Sequence, residues 1–487
     1  MYRKARIFLL LFILLVMTLG LYYWQSYPRL QAVSPMNEAT DVPSKATMQL
    51  TFSRSMQNAS VTERLVIEPF RQGKFTWQGN TLVFTPDQPW PAGETVQVWL
   101  KAGSKASGLL SLPMRQEVAW SFTIGQPRLV YLYPEKGPAD LYILDLQTGR
   151  NEPITHAAGG VQDFGVDAND STVYYSVRNE QEGKGSSIYR LDLGGQRQET
   201  TAQNGSPAMP IIMPVPILAC PQASCSALAV SPAGDYLAYE RIALPGSDQP
   251  SYSQVWIAPL PRVDAPGSSV PEDAPTIAGD PAHRTLMPAW SSDGLLVFYD
   301  VDAAAFIFFD PKEGERIRFP NQTGQPGAWH PNGRNYVAPE IIFLDANVST
   351  SITDLKSLAD SHLLLFNWQT GTTQDLTPGE GIEDAAPAFS PDGKFLAFAR
   401  KYLDVKRWTP GRQIWLMQTE SSEAWPLTNE PLYNHFDFAW SPASDRLVYV
   451  RFDQSTMTQP PEIWIIDPST GQAMQLVKGG YAPQWIP

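Results

Sequence analysis

A phrase built on an aromatic residue followed by Ser-Pro-Asp-Gly, or a worn copy of it, returns seven times in the last three quarters of this chain. The openings read "VQDFGVDAND" (161–170), "ALAVSPAGD" (227–235), "MPAWSSDG" (287–294), "PGAWHPNG" (326–333), "APAFSPDG" (386–393), "DFAWSPAS" (437–444) and finally "YAPQWIP" (481–487). Proline at the second turn position fixes φ, aspartate hydrogen-bonds the turning backbone and glycine accepts positive φ, so each phrase predicts a tight reversal between two antiparallel strands. An apolar strand, a strand like "IWLM" and a weaker strand ending in Leu-Thr complete each unit. A period of about 50 residues, four strands long, predicts stacked four-stranded sheets rather than one continuous sheet. Ala229, Ala289, Ala328, Ala388 and Ala439 each precede the aromatic position, so a bulky side chain of one sheet is expected over a small residue of its neighbour.

The segment 127–155 has a second, third and fourth strand but no aromatic opening strand. The final "YAPQWIP" supplies it, which predicts a ring sealed by strands from both ends of the repeat region, with Trp485 in the sheet of Leu129 to Leu132. On this reading the repeat region is whole and leaves no room for a downstream catalytic domain. Seven blades are expected, against six or eight.

These repeats resemble the WD-like propeller repeat of the TolB type, also seen in prolyl oligopeptidase propellers. The text "AFSPDGKFLAFAR…IWLM…LT" at 388–428 is the fullest copy, and the resemblance spans nearly all of 128–487. It implies a β-propeller; the TolB propeller itself has six blades. Ahead of it, residues 28–125 read as short alternating strands such as "MQLTFS" (48–53), "TLVFTP" (81–86) and "TVQVWLK" (95–101), which predict a β-sandwich. "VSPMNEATDVP", "LTFSRSM", "TLVFTPDQPWPAGETVQVWL" and "WSFTIG" resemble the bacterial immunoglobulin-like domain of the SbsA type, found in surface-layer and other exported proteins. That resemblance implies a spacer or adhesion module without catalytic residues. The expected fold class is therefore all-β: an N-terminal transmembrane helix (1–27), an Ig-like β-sandwich (28–125) and a β-propeller (126–487).

The helix is read from Arg3, Lys4 and Arg6 followed by 18 uncharged residues, Ile7 to Trp24, with Tyr22, Tyr23 and Trp24 at the far interface. A signal-anchor predicts a single pass through the cell membrane with a cytoplasmic N-terminus and the bulk outside. A cleaved signal peptide competes, but no A-x-A-like site follows the apolar run. Composition fits an exported β protein: charged residues are 17%, and 44 prolines and 34 glycines supply turns. A net charge of -13 argues against nucleic acid as a partner, since phosphate binding requires clustered cations. The only two cysteines, Cys220 and Cys225, are expected to form a disulfide in an oxidising compartment, with two reduced thiols as the other state.

Enzyme motifs are missing: there is no G-x-S-x-G, H-E-x-x-H or Gly-rich phosphate loop. The five histidines fall in different repeats without ligand spacing and read as surface residues. No metal and no cofactor are expected. The basic, aromatic loop "KYLDVKRWTPGR" (401–412), with Lys401, Tyr402, Lys406, Arg407, Trp408 and Arg412, is the candidate binding site. Asp384 and Asp437, just before two opening strands, are candidates for a channel mouth. The long connections are read as gathering on one face, at 178–187, 196–226, 241–254, 260–286, 343–362, 401–413 and 452–461. The sequence thus predicts a membrane-anchored binding or scaffold protein that engages a protein partner or cell-envelope polymer. The alternative is a glycan- or peptide-processing enzyme with carboxylates in the propeller channel. Neither the ligand nor the oligomeric state is legible.

Overall fold

The structure is a computed structural model that describes residues 27–486 except 45, 109–110, 168–170, 180–184, 194–213, 248–249, 261–273, 344–358 and 457. The expected membrane anchor lies outside the described residues; among those described, no helix is long and apolar enough to cross a membrane. The chain divides into two compact units, Met1–Gln126 and Pro127–Pro487.

In the first unit, alternating apolar residues make two four-stranded sheets. One has the order Leu30–Ser34, Met48–Phe52, Thr81–Pro86, Gly73–Gln78; the other Ala39–Val42, Val118–Ile124, Thr95–Leu100, Leu65–Glu68. Met48, Leu50 and Phe52 of one sheet and Val96, Val98 and Leu100 of the other turn their buried faces into a shared core. Trp90 lies in that core with its indole Nε1 donating to the Ala46 carbonyl at 3.0 Å, which satisfies its one polar atom. A five-residue helix, Asn58–Thr62, is the one helix among the described residues.

The second unit is built from seven antiparallel four-stranded units, numbered here 1 to 7. Their first strands are Tyr481–Ile486, Val161–Val166, Ala223–Val230, Thr285–Trp290, Ala328–Trp329, Ile382–Phe389 and Tyr433–Trp440. A single parallel bridge, Ser361 to Glu383, joins the fifth and sixth into one hydrogen-bonded sheet. Each first strand lies against the first strand of the next unit, and that of unit 1 lies against that of unit 2. The last strand of the chain, Tyr481–Ile486, is antiparallel to Arg128–Tyr133, with Trp485 opposite Leu129 and Gln484 opposite Val130.

Two devices follow from the repeated phrase, one that locks neighbouring units and one that closes the turn within each. Trp290, Trp329, Trp440 and Trp485 donate Nε1–H to the carbonyls of Ala229, Ala289, Ala388 and Ala439 in the preceding unit, at 3.0 to 3.1 Å. The alanine leaves room for the indole to reach the backbone, so the large-over-small pattern is a hydrogen bond as well as a packing contact. Trp440→Phe keeps the ring and deletes the bond; it is expected to lower stability by about 0.5–1.5 kcal/mol in urea unfolding, without changing the m-value. The second device is the Ser-Pro-Asp-Gly turn. Ser390 Oγ donates to Asp392 Oδ1 at 2.7 Å and accepts the Phe395 N–H at 3.0 Å, while Gly393 takes φ +73°. Ser231 with Asp235 and Ser441 with Asp445 make the same serine-to-aspartate bond at 2.8 and 2.7 Å.

The placement of loops corrects one expectation. Val215–Cys220 is the fourth strand of unit 2, and Thr276–Ile277 the fourth strand of unit 3. The fourth strands of units 2 and 3 therefore begin at the edge opposite the one where the second strands end, as Phe395–Tyr402 does before the 403–412 connection. Prolines 214 and 216 disguised an edge strand as a loop, since proline is tolerated where no ladder bond is needed. Cys220 and Cys225 are joined by a disulfide across the short reversal between units 2 and 3.

Candidate functional site

The 401–412 connection leaves the second strand of unit 6 (Phe395–Tyr402) and returns to its third (Gln413–Gln418). Asp404 shapes it by accepting the Lys406 and Arg407 backbone N–H groups at 3.1 and 3.0 Å, an Asx-type turn. The predicted residues come together as pairs. Lys401 Nζ sits 5.1 Å from the centre of the Trp408 ring, and the Arg407 guanidinium lies 4.0 Å over Tyr402. Arg407 Nε is also 2.6 Å from Asp404 Oδ2. Arg412 pairs with Glu383 on the first strand of unit 6. Much of the positive charge that suggested an anionic ligand is thus answered within the protein. What faces outward is mixed: Trp408 is 55% and Val405 82% exposed, beside the exposed Lys406 and Arg407.

Beneath the loop lies a layer of ions. Asp384 is fully buried and accepts Arg400 Nε and Nη2 at 2.7 Å each; register alone places them opposite one another. Burial pushes the Asp384 carboxyl up, and the Arg400 guanidinium opposes that shift. Arg400 in turn stacks 4.7 Å from the Trp415 ring. In unit 7, Arg451 is held between the Trp464 and Tyr433 rings at 3.7 and 4.2 Å and pairs with both Glu430 and Glu462.

Two histidines belong to this layer, against the expectation that they are surface residues: His362 and His435 are buried. His435 Nδ1 is 2.7 Å from the Arg412 carbonyl and its Nε2 3.0 Å from Glu430 Oε2. His362 Nδ1 is 2.7 Å from Asp375 Oδ2 and its Nε2 3.0 Å from the Gly379 carbonyl. Nothing in the local sequence signals either site, because the partners arrive from other elements.

Hydrogen bonding from His435, with help from Arg451, holds the Glu430 carboxyl at about 2. A folded-state value below the unfolded one means the contribution is fully present above about pH 4.5 and is lost as pH falls towards 2. Between those limits wild type is expected to lose more stability than Glu430→Gln, read as the difference between their urea midpoints at each pH.

The other carboxylates near the first strands serve the joints between units. Asp163, which burial pushes up to about 6, accepts the Leu228 N–H of the next unit at 2.7 Å. Asp437, exposed as a residue, accepts the Ala482 N–H. Glu240 accepts the Met287 N–H at 2.8 Å. Ala227, Met287, Asp437 and Ala482 all have positive φ at irregularities of the first strands, where such amides turn towards the neighbouring unit. Asp384 faces Arg400, so Asp384 and Asp437 have separate partners. Among the described residues no group of three His, Cys, Asp or Glu side chains is arranged to hold a metal ion.

Exposed large apolar residues of the second unit collect at one edge. Tyr133, Ile242 and Phe343 end second strands, Val405 and Trp408 lie in the following connection of unit 6, and Leu432 precedes the first strand of unit 7. Val215 and Met474 are at the opposite edge.

Residues 25–124 match the family profile of the bacterial Ig-like domain. No curated protein sequence matches the chain. Among solved structures it is similar to TolB from Acinetobacter baumannii, at 14% identity over 74% of this chain and 84% of that one, TM-score 0.40. It is also similar to a TolB from Agrobacterium tumefaciens, at 16% identity over 74% and 92%, TM-score 0.36. A puromycin-hydrolyzing peptidase of Mycobacterium tuberculosis is similar at 12% identity over 91% of this chain and 57% of that one, TM-score 0.47. The resemblances drawn from the sequence, a TolB-like propeller behind a bacterial Ig-like domain, stand.

Proposed function

We propose that this chain is a non-catalytic binding protein of the cell envelope. It engages a protein partner through the edge of the propeller that carries Phe343, Val405, Trp408 and Leu432. We infer further that the propeller has seven blades, closed by pairing of Tyr481–Ile486 with Arg128–Tyr133, and that residues 7–24 anchor the chain with its bulk outside the cytoplasm. The run of apolar residues behind Arg3, Lys4 and Arg6 supports the anchor.

One observation carries the binding reading: six exposed large apolar side chains lie at a single edge, and the connection that bears Val405 and Trp408 leaves a strand held by the buried Asp384–Arg400 pair. Exposed apolar groups set on a rigid base suit protein recognition, because the scaffold has already met the entropy cost of ordering them. The carboxylates that an enzyme reading would bring together are engaged with arginine or with backbone amides of adjacent units.

The test is capture of partners from envelope extract by the full chain, beside Trp408→Ala and Phe343→Ser. Truncation of an interface anchor costs about 2 kcal/mol or more, so recovery should fall about thirtyfold at limiting protein. Both residues are largely exposed, so melting should stay within about 0.5 kcal/mol of wild type. Equal recovery by both variants would remove this edge as the binding surface.

A further inference from the structure

The surroundings of His435 impose a condition on its proton count. A carbonyl oxygen accepts only, so the Nδ1 that lies 2.7 Å from the Arg412 carbonyl must donate. The Nε2, 3.0 Å from Glu430 Oε2, faces a second acceptor, because the Arg451 guanidinium paired with Glu430 favours its carboxylate form. A neutral imidazole has one N–H and can serve one of these bonds; only the doubly protonated ring serves both. Charge points the same way. The cations Arg412, Arg451 and imidazolium meet the carboxylates Glu383, Glu430 and Glu462, three with three, whereas a neutral ring leaves one negative charge in excess. Tyr449, 5.5 Å away ring to ring, is the other titratable side chain packed on it, and Tyr433 borders Arg451 on the same strand as His435.

We propose that His435 is a proton-operated clamp on the foot of the 401–412 loop: with both ring nitrogens protonated it ties the Arg412 carbonyl to Glu430, and loss of one proton releases that tie. The loop enters this clamp at its C-terminal end, where the Arg412 N–H is bound by Asn434 Oδ1 at 3.1 Å and the His435 N–H by the Arg412 carbonyl at 3.2 Å. At its other end Lys401 stacks on Trp408. Loss of that proton therefore loosens the loop that presents Val405 and Trp408, and its return fastens the loop. The consequence for binding rests on the reading of that edge as the partner surface, but the clamp itself is a property of the isolated protein.

The experiment is amide hydrogen exchange of residues 401–413 in the full chain at about pH 5.5 and about pH 8, corrected for the intrinsic rate. Nitrogen-15 NMR of His435 is recorded alongside. Protection in wild type is expected to fall about tenfold at the higher pH, the factor carried by one charge-assisted hydrogen bond. His435→Asn, which retains a donor for the Arg412 carbonyl and loses the reach to Glu430, should show the loosened rate at both pH values. Glu430→Gln can offer its amide N–H to a neutral ring, so its loop should stay protected at both. His362→Asn, which removes a ring bound between Asp375 and Gly379, should leave the wild-type step unchanged. Equal corrected rates in wild type, or a His435 spectrum with one protonated nitrogen at the lower pH, would overturn the clamp. Either result is obtained without a partner and leaves the binding test standing on its own.

Discussion

A chain ending at residue 480 is expected to lose the cooperative unfolding of its second unit. Deleting 481–487 strips the first strand from the sheet of Arg128–Tyr133 and takes away Ile486, fully buried among Val130, Leu141 and Phe164. It removes the Trp485 bond to the Ala439 carbonyl and the Gln484 bond to the Phe164 carbonyl, at 3.0 and 3.2 Å, which reach the units on either side. A buried isoleucine contributes about 1.5–3 kcal/mol and each lost hydrogen bond about 0.5–1.5 kcal/mol. The backbone of Leu129 to Leu132 and the neighbouring first strands would also be left facing water. The total is comparable to the whole stability of an ordinary domain, about 5–15 kcal/mol. Calorimetry should therefore show a broad, low-enthalpy transition in place of a sharp one. A truncated chain that melted like wild type would mean that the ring does not depend on its last strand.

Asp384→Asn carries the second large effect. It leaves the Arg400 guanidinium, 12% exposed at its side chain, without its carboxylate and against the rings of Trp415 and Phe398. Breaking a buried pair on one side costs about 3–5 kcal/mol, because the remaining charge is still out of water. Replacing both partners with apolar residues of similar size, Asp384→Leu with Arg400→Met, removes the stranded charge. The double variant is expected to recover most of the loss in urea unfolding. Equal destabilisation by the single and double changes would show that the carboxylate acts through its other contacts, such as the hydrogen bond from the Thr377 side chain.

The repeated phrase made the propeller legible because every part of it has a local cause: Ser390, Asp392 and Gly393 close a turn, and Ala388 admits Trp440. Pairing of Trp485 with Leu129 was legible for the same reason, since the unit at 127–155 lacked a strand that the last residues supply. Loop placement was less legible. Thr276–Ile277 is only two residues long and Val215–Cys220 contains a proline, so neither carries the alternation that marks a strand. The candidate loop was read from its own residues, among which Lys401 pairs with Trp408 and Arg407 with Tyr402. Its foundations were not. Asp384 and Arg400 face each other across a hairpin, and His435, five residues after Glu430, meets Arg412 only after two units are placed side by side. The pairings with Arg400 and Arg412 are set by tertiary packing rather than by any short window of sequence.

The account turns on the apolar edge being a protein-binding surface, and site-specific photo-crosslinking in intact cells tests that most directly. A photoreactive phenylalanine at position 343, 405 or 408 should give crosslinked adducts of a common mass, whereas the same group at 474, exposed at the opposite edge, should give none. Adducts from 474 alone, or the same adducts from all four positions, would contradict it.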